Sequence, residues 1–466
     1  MLRRLASVVV IASCALAACR GGGGGASDAA ADSPGVAPDL GVGRAAPIID
    51  GLFDDWRDVP VAARDPAGDG DSAGFDVRAL SLQSRGAVLY VLVELERELN
   101  FHEGPPEAIS LRIDVALPGG HTLRVDSRAR AAFYDTGPIS WERVRYRLAP
   151  SYASTRFEMR LDLAPLGVLP GSEVTVTLSG ADKLDAALRY RLGEGVAPAP
   201  ARRSPARTPQ VGLRVASLNT LQTGLFDAVR GPRLERLLGA VQADVYCLQE
   251  VYDTPASRVA ELLARARGGR WNVHVVRDSF IASRAPLLPL PSQNQRYAAA
   301  LVIADAGVFA VVSAHLSCCG FIGDVQDQKR EAEVDGIVET LRALREKRLG
   351  PALASYAEAR PIVVGDYNLV GSREPLTRLE RAGLERFALE HLVGREAHTW
   401  IKTSSPYPAA ILDHLVHDPR LARVGGYVLD TRELVDSELS ALGVERDDSD
   451  GSDHLLLVAD FARVLP

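Results

Sequence analysis

The sequence predicts an α/β layered domain over residues 210–466, preceded by an all-β sandwich over residues 47–196. Three observations predict it. Short apolar runs of period two, punctuated by turn residues and free of any long helical period, fill the first stretch. A Pro/Ala/Arg linker at 197–209 then interrupts all apolar periodicity, and its prolines favour an extended spacer. Beyond it, strand-like and helix-like segments alternate, as in a sheet covered by helices. At 466 residues the chain is longer than one core usually fills, and its 47% apolar and 24% charged residues are a globular composition. A net charge of −7 excludes strong long-range attraction to nucleic acid or anionic lipid, but not contact with phosphate at one site.

Taken in order, the chain begins with Arg3 and Arg4 before an apolar run at 5–18, too short to span a bilayer. The run ends in Leu16-Ala17-Ala18-Cys19, which resembles a bacterial lipobox. That resemblance implies a lipoprotein signal over residues 1–19 and lipidation at Cys19; an ordinary secretory signal is the alternative. Residues 20–46 are Gly, Ala, Ser, Asp and Pro, too poor in large apolar side chains to order themselves, and read as a tether. The expected location is therefore outside the cytoplasm, at a bacterial outer membrane, cell surface or periplasm. Cys247 lies in an apolar run and reads as core, while the adjacency of Cys318 and Cys319 strains a mutual disulfide, so none is expected. No zinc-type spacing occurs.

The sandwich opens with Ile48-Ile49-Asp50-Gly51 and Phe53-Asp54-Asp55-Trp56, followed by strand-like runs at 87–93, 109–116 and 174–178. This opening resembles the start of sandwich domains of the family 9 carbohydrate-binding type; the resemblance admits a glycan as a ligand class, while the residues themselves support a fold and not a ligand. Trp56 itself reads as a core residue more readily than as a sugar platform. Asp65, Asp69, Asp71 and Asp76 offer oxygen ligands for calcium, but their spacing fits no EF-hand and a solvated loop is the expectation.

In the second half, strands are expected at 213–218, 245–248, 298–303, 308–314, 361–364, 411–416 and 455–461, with helices at 233–241 and 324–348. Polar clusters sit at the strand ends: Ser217-Leu218-Asn219-Thr220, Leu248-Gln249-Glu250, Ala314-His315-Leu316, Gly365-Asp366-Tyr367-Asn368, Leu412-Asp413-His414 and Ser452-Asp453-His454. Strand edges are where α/β folds place their sites, because strands fix position and loops give access. The residue types suit hydrolysis of a phosphate ester. Glu250 and the amide oxygen of Asn219 are the hard ligands magnesium prefers. The ion and an imidazolium can neutralise charge developing on phosphate. Water must lose a proton to a base, either His454 or Asp366, and Asp413 is a candidate to fix a histidine tautomer.

The order Asn, Gln-Glu, Ser-Arg-x-Pro, His-Leu, Gly-Asp-Tyr-Asn, Thr-Trp, Asp-His, Ser-Asp-His over residues 211–466 resembles the endonuclease/exonuclease/phosphatase superfamily. The resemblance implies a four-layer α/β/β/α sandwich. It implies that Glu250 and Asn219, with Asp453 joining, hold magnesium or manganese. It further implies that His315 contacts the scissile phosphate or protonates the leaving oxygen, that Asp366 and Asn368 position water and phosphate, and that His454 pairs with Asp413. Ser283-Arg284-Ala285-Pro286 would shape the rim of the site, and Tyr367 stands where the family commonly has Phe. The base and the number of metals stay open.

Each residue has an ordinary reading when taken alone: Asn219 a turn residue, Glu250 a helix N-terminal charge, His315 a core histidine, Asp366 and Asn368 an Asx turn. His391, His398, His414 and His417 are read as structural, and Asp447-Asp448-Ser449-Asp450 as a solvated acidic loop. The expected activity is an exported, metal-dependent phosphodiesterase, nuclease-like first, with a sphingomyelinase-like lipid phosphodiesterase or an inositol-phosphate phosphatase as alternatives. The expected partners are a nucleic acid or phospholipid head group and a membrane reached through the lipid anchor. A non-catalytic, glycan- or partner-binding surface lipoprotein is the rival from another class.

Overall fold

Alternating apolar residues set up the first half of the fold. The computed structural model describes residues 45–66, 68–69, 75–101, 111–184, 187–194 and 202–463, all within one compact unit. The expected signal, Cys19, residues 20–44 of the tether and Asp71 lie outside the described residues. Between Val61 and Arg191 an antiparallel five-stranded sheet faces an antiparallel six-stranded one. Leu89, Val91 and Val93 of one sheet and Val174, Val176 and Leu178 of the other point into a shared core. The period-two pattern of 173–180 is the cause: every second side chain is apolar, and only one face can be buried.

Trp56 is 4% exposed, and its indole Nε1 donates to Glu158 Oε2 at 2.8 Å. Glu158 also accepts from the Asp50 and Gly51 amides at 2.7 and 2.5 Å. Burial, with the Asp50 charge adding to it, pushes this carboxyl up to about 8. The opening motif is thus a buried corner built around an acid, with its tryptophan ring inside. The acidic run departs from a solvated loop. Asp76 is 8% exposed, accepts from Gly68 N at 2.9 Å, and gathers with Asp65, Asp69 and Asp182.

The second half is a four-layer α/β/β/α sandwich. Two six-stranded sheets face each other through Leu213, Val215, Val245 and Ile281 on one side and Ala300, Val311, Ile362 and Val364 on the other. Helices Arg230–Val241 and Ala256–Arg267 cover the outer face of the first sheet, burying Leu234, Leu238, Val259 and Leu263. Helices Val325–Arg345 and Glu374–Arg381 cover the second through Ile337, Leu341, Leu376 and Leu379. Cys247 lies in the layer between the sheets, and Cys318 and Cys319 carry no disulfide. Gln249 Nε2 donates to Ser313 Oγ at 2.9 Å, a buried polar link from sheet to sheet just below the strand ends. Two halves also meet side by side: Arg147 Nε donates to Glu396 Oε2 at 2.8 Å, and Trp141 Nε1 to Pro406 O at 3.1 Å.

Candidate active site

Strand direction brings the polar clusters to one edge. Val211–Asn219 runs parallel to Val245–Gln249, and Gly307–His315 runs parallel to Arg360–Asp366, so Asn219, Glu250, His315 and Asp366 all sit at or just past C-terminal ends. Leu456–Ala462, Asp413–His417 and Ser279–Ser283 run the other way, so they begin at that same edge, bringing in His454, Asp413 and Asp278. His315 and Asp366 are register partners, as are Asp366 and Asp413. Gly365 is required there: a Cβ on it would lie 2.0 Å from the Ala314 carbonyl oxygen. Glu250 and Asn368 hold left-handed φ of +57° and +47°, a conformation that costs non-glycine residues energy and that collects at functional sites.

The side chains form one knot. Asn219 Nδ2 donates to Glu250 Oε1 at 3.0 Å and to Asp366 Oδ2 at 2.9 Å, while its Oδ1 accepts from Leu221 N at 3.0 Å. Glu250 Oε2 accepts from Gln222 N at 2.7 Å. Asn368 Nδ2 donates to Asp366 Oδ2 at 3.0 Å and to Leu316 O at 3.1 Å. Two histidines face the same carboxylate from opposite sides. His454 Nε2 is 3.7 Å and His315 Nε2 is 3.9 Å from Asp366 Oδ2. Each ring is fixed from behind, His454 Nδ1 by Asp413 Oδ2 at 2.7 Å and His315 Nδ1 by Asp278 Oδ2 at 2.6 Å.

Local chemistry explains the holding residues. Ser452 Oγ donates to Asn219 O at 2.7 Å and accepts from His454 N at 3.1 Å, so the serine of Ser-Asp-His ties the last strand to the first. Thr399 Oγ1 accepts from the Leu412 and Asp413 amides at 3.0 and 2.9 Å, and Thr399 O accepts from Leu455 N at 2.7 Å. The Thr-Trp segment therefore clamps both members of the His454–Asp413 dyad.

Charge is concentrated in a buried place. Burial opposes the imidazolium of His454, but the Asp413 and Asp366 carboxylates outweigh it and push the ring up to about 10. His315 is raised in the same way: burial opposes its charge, while its hydrogen bond to Asp278 and the charge of Asp366 favour it. Asp366 is itself raised by burial, against the pull of His454. Asp278 is lowered: burial works against its charge, and the His315 hydrogen bond overcomes that. The Tyr252 phenol is pushed up by burial and by the negative charges of Glu250 and Asp278.

The structure brings together Asn219, Glu250, His315, Asp366, Asn368, Asp413 and His454. Asp453 is placed differently. Its Oδ2 lies 3.5 Å from Lys402 Nζ, and its charge reaches the knot through the His454 ring. Ser283-Arg284-Ala285-Pro286 does not shape the rim. Ser283 pairs with Val245 and Arg284 N donates to Asp244 O, at the far end of the sheet, because this strand enters at the site and leaves it. The acidic loop is not solvated throughout: Asp448 is fully buried and held by Arg236 Nε at 3.0 Å. His391, His398, His414 and His417 are buried, and none joins the groups of ligand atoms gathered at Asp366. Sequence reading missed Asp278 and Tyr252. An Asp closing a tight hairpin looks like an ordinary turn residue; only its place at the edge, opposite His315, marks it.

Glu250, His315 and Asp366 offer ligand atoms within 4.8 Å of one another. The two carboxylates offer the hard oxygens that a divalent ion such as magnesium or manganese takes, but the Asn219 amide departs from the expected ligand: its Nδ2 faces both carboxylates and its Oδ1 is turned to Leu221 N.

A family model described as Endonuclease/Exonuclease/phosphatase family matches residues 217–454. No curated protein matches the chain significantly. Among solved structures, the 3' phosphatase NExo from Neisseria, bound to a product DNA hairpin, is 18% identical over 53% of this chain and 99% of that chain, with a TM-score of 0.37. A humanized D. rerio TDP2 is 18% identical over 53% of this chain and 98% of that chain, with a TM-score of 0.37. An endonuclease/exonuclease/phosphatase from Beutenbergia cavernae is 20% identical over 54% of this chain and 71% of that chain, with a TM-score of 0.34.

Proposed function

The chain belongs to the endonuclease/exonuclease/phosphatase family, and from that premise we propose that residues 210–466 are a metal-dependent hydrolase of phosphodiesters, nucleic acid first among them. The observation that carries the reading is the pair of histidines, each fixed at Nδ1 by its own aspartate and each presenting Nε2 to Asp366, 3.7 and 3.9 Å away. Glu250 would hold the ion, and Asn219 keeps the Glu250 and Asp366 carboxylates together. A magnesium or manganese ion there supplies positive charge against the phosphate and eases ionisation of water. His454 carries its proton at neutral pH, which suits it to stabilising the charge that gathers on phosphate. Asp366 then accepts the proton of water, with Asn368 fixing its carboxylate. His315, whose charged form is favoured by its hydrogen bond to Asp278 and by the nearby Asp366 charge, donates to the leaving oxygen.

The test is turnover of bis-p-nitrophenyl phosphate with magnesium and with chelator, followed by plasmid DNA, RNA, sphingomyelin and inositol phosphates. Metal-dependent cleavage abolished by His454→Ala is the expected result. Absence of metal-dependent turnover on every substrate would replace the reading with a binding protein. One observation favours the lipid head group as a second substrate class. Phe321, Ile322 and Val325, at 38%, 38% and 60% exposure, stand together on the segment that follows His315. Preference for sphingomyelin in bilayers over plasmid DNA would establish that class.

The same proposal places the protein outside the cytoplasm, anchored through Cys19. The support is the charged and apolar start of the chain and its Leu16-Ala17-Ala18-Cys19 ending. A Cys19→Ala variant that stays in the membrane fraction would overturn the anchor.

A further inference from the structure

Three successive backbone carbonyls just after Asn368 are bound by the N-terminal sandwich. The Ser151 hydroxyl donates to Leu369 O at 2.8 Å, Asn100 Nδ2 donates to Val370 O at 2.6 Å, and the Ala153 amide donates to Gly371 O at 2.7 Å. The same two side chains reach the neighbouring loops. Asn100 Oδ1 accepts from Ile322 N at 2.9 Å, between His315 and the helix Val325–Arg345. Ser151 Oγ lies 3.0 Å from Ile411 O, just before Asp413. Asn100 and Ser151 are 5% and 2% exposed, so water does not compete freely for these bonds.

From its other side the 369–372 loop is held by the helix. Asp327 Oδ1 accepts from Ser372 N at 2.8 Å, and a Cβ on Gly371 would come within 2.1 Å of that oxygen. The loop is therefore clamped between helix and sandwich, directly after a residue in left-handed conformation whose amide fixes Asp366. Such a conformation persists only where its surroundings hold it.

We propose that the sandwich completes the catalytic site, and that Asn100 and Ser151 are positioning residues. They hold the Asp366–Asn368 loop in register with the loops of His315 and Asp413. The proposal rests on the hydrolase reading above. It gives the sandwich a supporting role at the site in addition to any ligand it binds itself.

The experiment uses the full chain and the variants Asn100→Ala, Ser151→Ala and Ser151→Thr. It reads magnesium-dependent turnover of bis-p-nitrophenyl phosphate and amide hydrogen exchange. We expect kcat to fall about 10- to 100-fold in the alanine variants, the size of effect a displacement near 1 Å produces. KM should change by less than about threefold, since the lost contact is remote from bound substrate. Ser151→Thr, which keeps the hydroxyl, should restore activity. Exchange should rise in 316–323, 368–372 and 409–412 and stay unchanged in the helix Arg230–Val241. Wild-type kcat with unchanged exchange, or a rise spread evenly over the chain, overturns the proposal. A wild-type protein without metal-dependent turnover overturns the hydrolase reading instead, and local exchange alone then decides whether the sandwich positions these loops. If Asn100→Ala does not fold, Ser151→Ala carries the test.

Discussion

Two pairs of buried histidines sit in the second half of the chain, and they are put to different use. His315 and His454 are 5% and 6% exposed; His391 and His398 are 0% and 4% exposed. Both pairs have carboxylates at hand. At the strand edge each ring is held at Nδ1 only, and the Nε2 atoms converge on one Asp366 oxygen. In the other pair, His391 has both nitrogens taken, Nδ1 by Glu433 at 3.1 Å and Nε2 donating to His398 O at 2.8 Å. Burial, then the charges of His391 and Arg147, hold the His398 ring down to about 3, so it stays neutral. Burial opposes the charge of His391 too, but Glu433 outweighs it. A buried imidazole with both nitrogens already matched, as in His391, is structure. One with a nitrogen left toward a carboxylate that a second imidazole shares is chemistry.

That contrast can be broken by mutation. The largest expected effect is on rate: His315→Ala and His454→Ala should each lower kcat by at least about 10²-fold, the range for general acid–base groups. Steady-state kinetics checks it. His391→Ala should show its effect in stability and not in rate. Leaving Glu433 and the His398 carbonyl without their buried donor should cost about 2 kcal/mol of stability, while kcat stays within about threefold. Denaturant unfolding measures it, and a rate loss as deep as that of His454→Ala would erase the distinction.

A smaller effect sharpens the comparison inside the first pair. Asp278→Asn removes the charge behind His315 but keeps a side chain of the same shape, so kcat should fall about 10-fold. The alkaline limb of its pH–rate profile should move to lower pH, because the acid His315 loses the carboxylate that raises it. The smallest effect is a pH dependence of stability in the chelated protein. His454 has a folded value near 10 against about 6.5 in an unfolded chain. The native state binds the proton more tightly, so this contribution is fully present below about pH 6.5 and is lost as pH rises toward the folded value. The gap in midpoint between wild type and His454→Asn should therefore narrow between pH 7 and 10 by a few degrees, measured in chelator. A gap that widens would reverse the assigned sign.

Much of this was legible before any coordinates, for reasons that are local. Val174, Val176 and Leu178 alternate with polar residues, and a strand can bury only one face, so the sandwich was readable from period alone. Leu234, Leu237, Leu238 and Val241 recur at helical spacing for the same reason. Asn219, Glu250, His315, Asp366 and His454 stood beside apolar runs, and strand ends are where such residues gather. Pairing across distance was another matter. Asp278 meets His315, Asp448 meets Arg236, and Ser283 lands at the far end of its sheet because of strand direction, which no window of sequence contains. Asn100 and Ser151 belong to one half of the chain and touch loops of the other, more than two hundred residues away. The sequence by itself determined many of the strands, the helices near 233–241 and 324–348, and most of the side chains that could do chemistry, because those follow from periodicity and residue type. Tertiary structure alone decided which carboxylate stands behind which imidazole and what holds the loops, because hydrogen bonds are made between neighbours in space and the chain's order says nothing of them.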